Sequence, residues 1–151
     1  MKKGLIILAV VVCSIANISA QQGYKALTVS SGYAWGIGSD TYISLDMPNN
    51  HFNSFEFFGN IMLSEKEDNY IVGVAYNKSL SKGINSVLRL KMGLGAGTTT
   101  SKAVFSGIVG FEYIYAVSRK LDFMVKPQGG YFLKSDYSWR FSSLIGIRYN
   151  F

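Results

Sequence analysis

Histidine or thiol chemistry has one residue of each to work with here, His51 and Cys13. Metal sites of these ligands need several at set spacings, and a nucleophilic Ser or Cys needs a base within reach. No Ser stands in a Gly-x-Ser-x-Gly or His-x-Ser setting. Glu65-Lys66-Glu67-Asp68-Asn69 gathers three carboxylates. It suits a solvated loop, and its sharper alternative is a divalent cation bridging lipid phosphates. Gly93-x-Gly95-x-Gly97 lacks the helix and the Lys-Ser/Thr pair of a phosphate loop. These readings predict no catalytic residue, no metal site and no cofactor.

The other ionisable side chains follow a different rule. Asp46, Glu56, Arg89, Lys91, Glu112, Asp122, Lys126, Arg140 and Arg148 each sit between apolar or small neighbours in a period of two. That spacing places them on one face of successive strands. The two signs are nearly balanced. Enclosed together they must pair, because a buried charge without a partner is costly. The expected result is an ion-paired lumen that holds strand register. The functional alternative is a conducting pore or a proton path.

The elements that position them are eight alternating segments. Leu27, Val29, Tyr33 and Trp35 oppose Thr28, Ser30, Gly32 and Ala34. Ile43, Leu45 and Met47 oppose Tyr42, Ser44 and Asp46. Phe55, Phe57, Ile61 and Leu63 oppose Ser54, Glu56 and Asn60, with Phe58 and Met62 as exceptions. Tyr70, Val72, Val74 and Tyr76 oppose Ile71, Gly73, Ala75 and Asn77. The second half repeats the pattern around Leu88–Leu94, Phe105–Tyr115, Leu121–Tyr131 and Trp139–Tyr149. Eight membrane strands of roughly ten residues need about 80 residues, which leaves only short connections. Gly36–Asp40, Ser64–Asn69, Gly97–Lys102 and Leu133–Ser138 are expected to face outward. Pro48–Asn53, which holds His51, Leu80–Asn85 and Val117–Lys120 are expected as periplasmic turns.

Alternation alone does not say which face meets lipid. A soluble barrel would turn its apolar face inward. Here the polar face carries many Gly, Ala and Ser, which suit a narrow eight-stranded interior. The apolar face places Tyr33, Trp35, Tyr70, Tyr113, Tyr115, Tyr131, Trp139 and Tyr149 near strand ends, as aromatic girdles do. The expected fold is all-β, an eight-stranded antiparallel up-and-down transmembrane β-barrel with a packed lumen and no ligand-sized pocket.

Lys2-Lys3, the apolar run Gly4–Val12 and small Ser19-Ala20 read as a signal peptide over residues 1–20, too short to span a bilayer. A lipoprotein anchor at Cys13 is the competing reading. Residues 21–151 are then one outer-membrane barrel domain. The formal net charge is +6, and no Lys/Arg tract interleaved with aromatics suggests direct nucleic-acid binding. The final strand ends on Tyr149-Asn150-Phe151. Tyr149 and Phe151 resemble the C-terminal insertion signal of outer-membrane barrels. That resemblance implies outer-membrane lipid and the barrel-assembly machinery as partners.

From residue 27 to 151 the pattern resembles the TraO family of conjugative-transposon proteins. The likeness is carried by Phe55-Glu56-Phe57-Phe58-Gly59, by Val72-Gly73-Val74-Ala75-Tyr76, and by Gly93 through Glu112 to Gly146-Ile147-Arg148-Tyr149. The outward loops are shorter than that family's pattern. The resemblance implies a non-enzymatic accessory or structural role in a conjugative transfer apparatus, alongside other conjugation proteins, and supplies no catalytic residues. The alternative is a general outer-membrane barrel for envelope integrity or surface interaction. A lipid-modifying enzyme is the weaker third reading, because it needs a nucleophile and base at the rim.

Overall fold

The computed structural model describes residues 25–49, 53–100 and 102–151. The expected signal peptide, Cys13 and His51 lie outside them. Eight strands follow in chain order: β1 (Ala26–Ala34), β2 (Gly38–Pro48), β3 (Ser54–Ser64), β4 (Asn69–Lys82), β5 (Ser86–Thr99), β6 (Ala103–Ala116), β7 (Leu121–Leu133) and β8 (Trp139–Asn150). Each pairs antiparallel with the next, and β1 pairs with β8 to close the barrel. The seam runs from Ala26 opposite Asn150 to Ala34 opposite Ser142. Phe151 N–H extends it by donating to Lys25 C=O at 2.8 Å. A closed ladder leaves no strand edge unpaired, which backbone in hydrocarbon requires.

The strands outrun the expected ten residues, with β4, β5 and β6 at 14 each. Asp40, Leu80 and Gly97–Thr99, expected in loops, are therefore strand residues, and the connections shrink to three to five residues. Ladder hydrogen bonds form wherever two strands run side by side, inside or beyond the apolar belt. Gly36, at φ 71°, makes the tight β1–β2 turn possible, because that left-handed backbone costs a glycine nothing.

Burial alternates along every strand. Val29, Val109, Phe141 and Ile145 are each about half exposed or more, while their neighbours of opposite parity are buried; Leu94, at 71%, stands between half-buried Gly93 and Gly95. The apolar face points outward, the inverse of a soluble barrel. The exceptions Phe58 and Met62 keep the inward parity and are buried. Phe58 belongs to an apolar layer with Tyr42, Ile71, Ala75, Val104, Ile108, Phe132 and Leu144 inside the barrel, and Met62 is buried against the Arg140 guanidinium. The Phe58 ring stacks on Tyr42 at 5.1 Å between centroids. Gly73 is what admits it, since a Cβ there would lie 2.5 Å from Phe58 Cζ.

Candidate functional site: a filled lumen between two unlike ends

The lumen is filled because each strand brings its inward charge to the same level. Lys91 from β5 and Lys126 from β7 are fully buried, as are Glu56 from β3 and Glu112 from β6. Lys91 Nζ lies 2.7 Å from Glu56 Oε1, and Lys126 Nζ lies 3.1 Å from Glu112 Oε1. Both cross distances are 3.7 Å, so the four charges alternate around a square. Tyr42 completes it. Its hydroxyl accepts from Lys91, and the two ammonium groups stand 4.1 and 3.8 Å from its ring centroid. Asn77 Nδ2 donates to Glu56 Oε2 at 2.7 Å, which places a further donor on that carboxylate.

A second group adjoins this one on the side where β1 begins and β8 ends, which bears the barrel's own termini Ala26 and Asn150. Asp46 Oδ2 receives Arg89 at 3.1 Å and Arg148 at 3.0 Å. Arg89 reaches on to Glu112 at 3.7 Å, which joins the two groups. Asp122 accepts from Asn150 Nδ2 at 2.8 Å and faces Arg148 at 3.8 Å. Eight of the nine charges singled out from spacing thus form one connected set. Arg140 stands apart near the other mouth. Its guanidinium lies 3.8 Å over the Phe132 ring and donates to Asn69 Oδ1 at 2.9 Å and to Ser135. Asp40, expected in an outward loop, instead accepts a hydrogen bond inside the barrel from Asn60, which keeps its expected inward face. Asp40's shared parity with Tyr42 and Asp46 was the signal for it.

Beyond the apolar layer, the mouth opposite the termini is closed by its own connections. Glu67 is not solvated: it is 5% exposed. Its Oε2 accepts from Ser135 Oγ at 2.8 Å and from Asp136 N–H at 3.1 Å. Glu67 sits between β3 and β4, and Ser135 between β7 and β8, on opposite sides of an eight-stranded ring. The contact therefore spans the mouth. Lys66 over the Tyr137 ring adds a second link across the same two loops, and Lys102, between β5 and β6, lies 3.7 Å from Asp136. A gap beside Asp40, Asn60, Gln128 and Ser142 measures only about 10 Å³, enough for one water.

The end with the termini differs. There the inward side chains leave a vestibule of about 460 Å³, bordered by Arg89, Asp122, Arg148 and Asn150. This corrects the expectation of no ligand-sized pocket. The lumen is narrow enough to fill in its middle, but small side chains such as Ser54, Ser86 and Ala116 line the strand ends at this mouth and leave it open.

No family model matches this chain, and no curated protein does. Solved structures do match. The N-terminal β-barrel domain of Pseudomonas aeruginosa OprF aligns with a TM-score of 0.72 at 9% identity, over 86% of this chain and 98% of that one. Neisserial surface protein A aligns at 0.60 and 16% identity, over 88% and 100%. The outer membrane enzyme PagL aligns at 0.57 and 9% identity, over 83% and 99%. The chain has the fold of small outer-membrane barrels. One such barrel is an enzyme, so the fold alone does not decide activity.

Among the described residues no group of His, Cys, Asp and Glu could hold a metal ion. The lumen carboxylates are engaged by cations or amides drawn from several strands, and such a set restrains those strands against one another. The cross-mouth latch makes a pH prediction. Burial opposes ionisation of Glu67, but hydrogen bonds from Ser135, Thr99 and Asp136 N–H, with the nearby Arg140 charge, outweigh it. They hold its pKa below the usual 4.5. The latch should be intact above about pH 5 and loosen as pH falls through the lowered folded value. The protection of amides 65–68 and 134–138, taken relative to intrinsic exchange at each pH, should fall there, while β6 stays protected. Protection at these loops that ignores pH, or changes alike in Glu67→Gln, would refute the latch.

Proposed function

We propose that the mature chain is a non-enzymatic outer-membrane barrel that works by contact, as an accessory or structural component of a conjugative transfer apparatus. The observation that carries the contact reading is the closed path: a buried charge square, an apolar layer and a latched mouth stand in series along the lumen. Nothing larger than water has a route through. The outward face, with Trp35, Tyr113, Tyr131, Trp139 and Tyr149 exposed near strand ends, supports a seat in lipid. Tyr149 and Phe151 are exposed and stacked at the seam, open to the assembly machinery. The conjugative part of the reading rests on the resemblance to TraO proteins.

A general envelope barrel without a transfer role is the second reading. It is favoured by the fold neighbours, one a surface protein and one a domain of OprF. Two measurements divide these readings. Purified protein in planar bilayers should show little conductance, and steady large channels would defeat the closed-lumen reading. A deletion strain should lose conjugative transfer. Undiminished transfer with a weakened envelope would favour the second reading.

A further inference from the structure

Of the nine side-chain carboxylates, Glu56 and Glu112 sit mid-lumen and the others divide between the two ends. Glu65, Asp68 and Asp136 lie on the latched mouth; Asp46 and Asp122 lie toward the vestibule, where Arg148 engages both and Arg89 engages Asp46. The vestibule end carries exposed Lys78, Lys82, Arg119 and Lys120, and among the described residues no exposed side-chain carboxylate. Its rim is therefore cationic around a cavity whose floor holds the guanidinium groups of Arg89 and Arg148 beside the Asp122 carboxylate. Arg89 is 3% exposed, yet Nε of both Arg89 and Arg148 has no hydrogen-bond acceptor.

We propose that this vestibule is a docking site for an acidic polypeptide segment entering from the periplasm. The inference rests on the outer-membrane reading for the side it faces, but not on the conjugative role. A cavity of about 460 Å³ falls in the range that holds specific ligands. Guanidinium forks recognise carboxylates bidentately, and the exposed rim cations raise the encounter rate of an anionic partner. Asn53, Asn85 and Asn150 line the wall and offer amide donors and acceptors that match a peptide backbone. Ile84 and Val87 supply apolar contact beside them. The alternative claim on these cations is the anionic headgroup layer around the barrel. Headgroups sit outside the wall, whereas Arg89 and Arg148 are reached only through the mouth, so the cavity favours the peptide. Arg148 is the more accessible anchor: its side chain is 11% exposed against 3% for Arg89, and while one end of its guanidinium is held by Asp46 at 3.0 Å, its Nε pairing with Asp122 is long, at 3.8 Å.

The test uses the full mature chain in lipid-free detergent micelles. The probe is a fluorescein-labelled hexapeptide, Gly-Ala-Asp-Glu-Asp-Glu, with the Asn/Gln version as its neutral control. Anisotropy should report binding of the acidic peptide that weakens with added salt, and binding of the neutral peptide weaker by tenfold or more. Arg148→Gln should weaken it on the order of tenfold, the size expected for one hydrogen bond to a charged group. Arg119→Gln with Lys120→Gln, whose side chains are exposed on the β6–β7 turn, should slow association. Lys66→Gln with Lys102→Gln, at the other mouth, should change nothing. Equal binding of both peptides, or indifference to both vestibule variants, would overturn the proposal. So would absence of peptide binding combined with capture by phosphatidylglycerol nanodiscs, which would assign the cations to lipid. Heat-modifiable gel migration of every variant separates loss of the site from loss of the barrel. Failure here would leave the outer-membrane and transfer readings untouched.

Discussion

Glu56→Gln should destabilise the barrel by about 3–5 kcal/mol, the range for breaking a buried ion pair by removing one partner. Glu56 is 1% exposed and its carboxylate stands between Lys91, Lys126 and Asn77. Without its charge, two fully buried ammonium groups share Glu112 alone. Glutamine keeps the volume, so the loss reports charge and not a cavity. Urea unfolding in phospholipid vesicles, followed by tryptophan fluorescence, measures it. Lys126→Met should be costly for the same reason. The double variant Glu56→Gln with Lys126→Met should cost less than the sum, by about 0.5–3 kcal/mol, because it removes opposite charges together. Glu65→Gln, on an exposed loop, should stay within about 0.5 kcal/mol of the parent. Additive losses in the double variant would mean that the square is not one interacting unit.

That square was legible from spacing because an eight-stranded lumen is too narrow to leave inward residues apart. Once parity is known, Lys91 and Glu56 must meet somewhere inside. The same rule misplaced Phe58 and Met62 as exceptions. A polar-inside template does not anticipate an apolar layer, and that layer depends on Gly73 making room for one ring. Asp40 was hidden for a different reason. Turn-like Gly36-Ile37-Gly38-Ser39 suggested a longer loop, whereas the β1–β2 ladder continues to Ala34 opposite Gly38.

Glu67 shows where local pattern stops informing. Its neighbours Glu65, Lys66 and Asp68 have the composition of a solvated loop, and its partner Ser135 is 68 positions away. Only closure of the ring brings them together. The vestibule was equally hidden, since it depends on how far side chains at the strand ends reach across the mouth. Both hidden features lie at the ends, where the two-residue period no longer constrains what a side chain meets.

Val109→Arg should cost about 2–4 kcal/mol in bilayers, as cations at the midplane of barrel walls do. Val109 sits near the middle of β6, between Met92 of β5 and Gly129 of β7, and is 56% exposed on the outward face. From mid-wall an arginine is far from either interface, so it must bend the bilayer or draw water in. Val117→Arg offers the contrast. Val117 is equally apolar and 62% exposed, but it lies in the turn after β6. There the guanidinium reaches headgroups, and the cost should fall to about 0–1 kcal/mol. Val109→Leu, which keeps the face apolar, should be near neutral. Exposure in the bare protein is similar at positions 109 and 117, so only the surrounding medium can separate them. A soluble barrel surrounded by water would accept arginine at both sites. Equal stability of Val109→Arg and Val117→Arg would therefore overturn the membrane assignment itself, even with every strand in its present place.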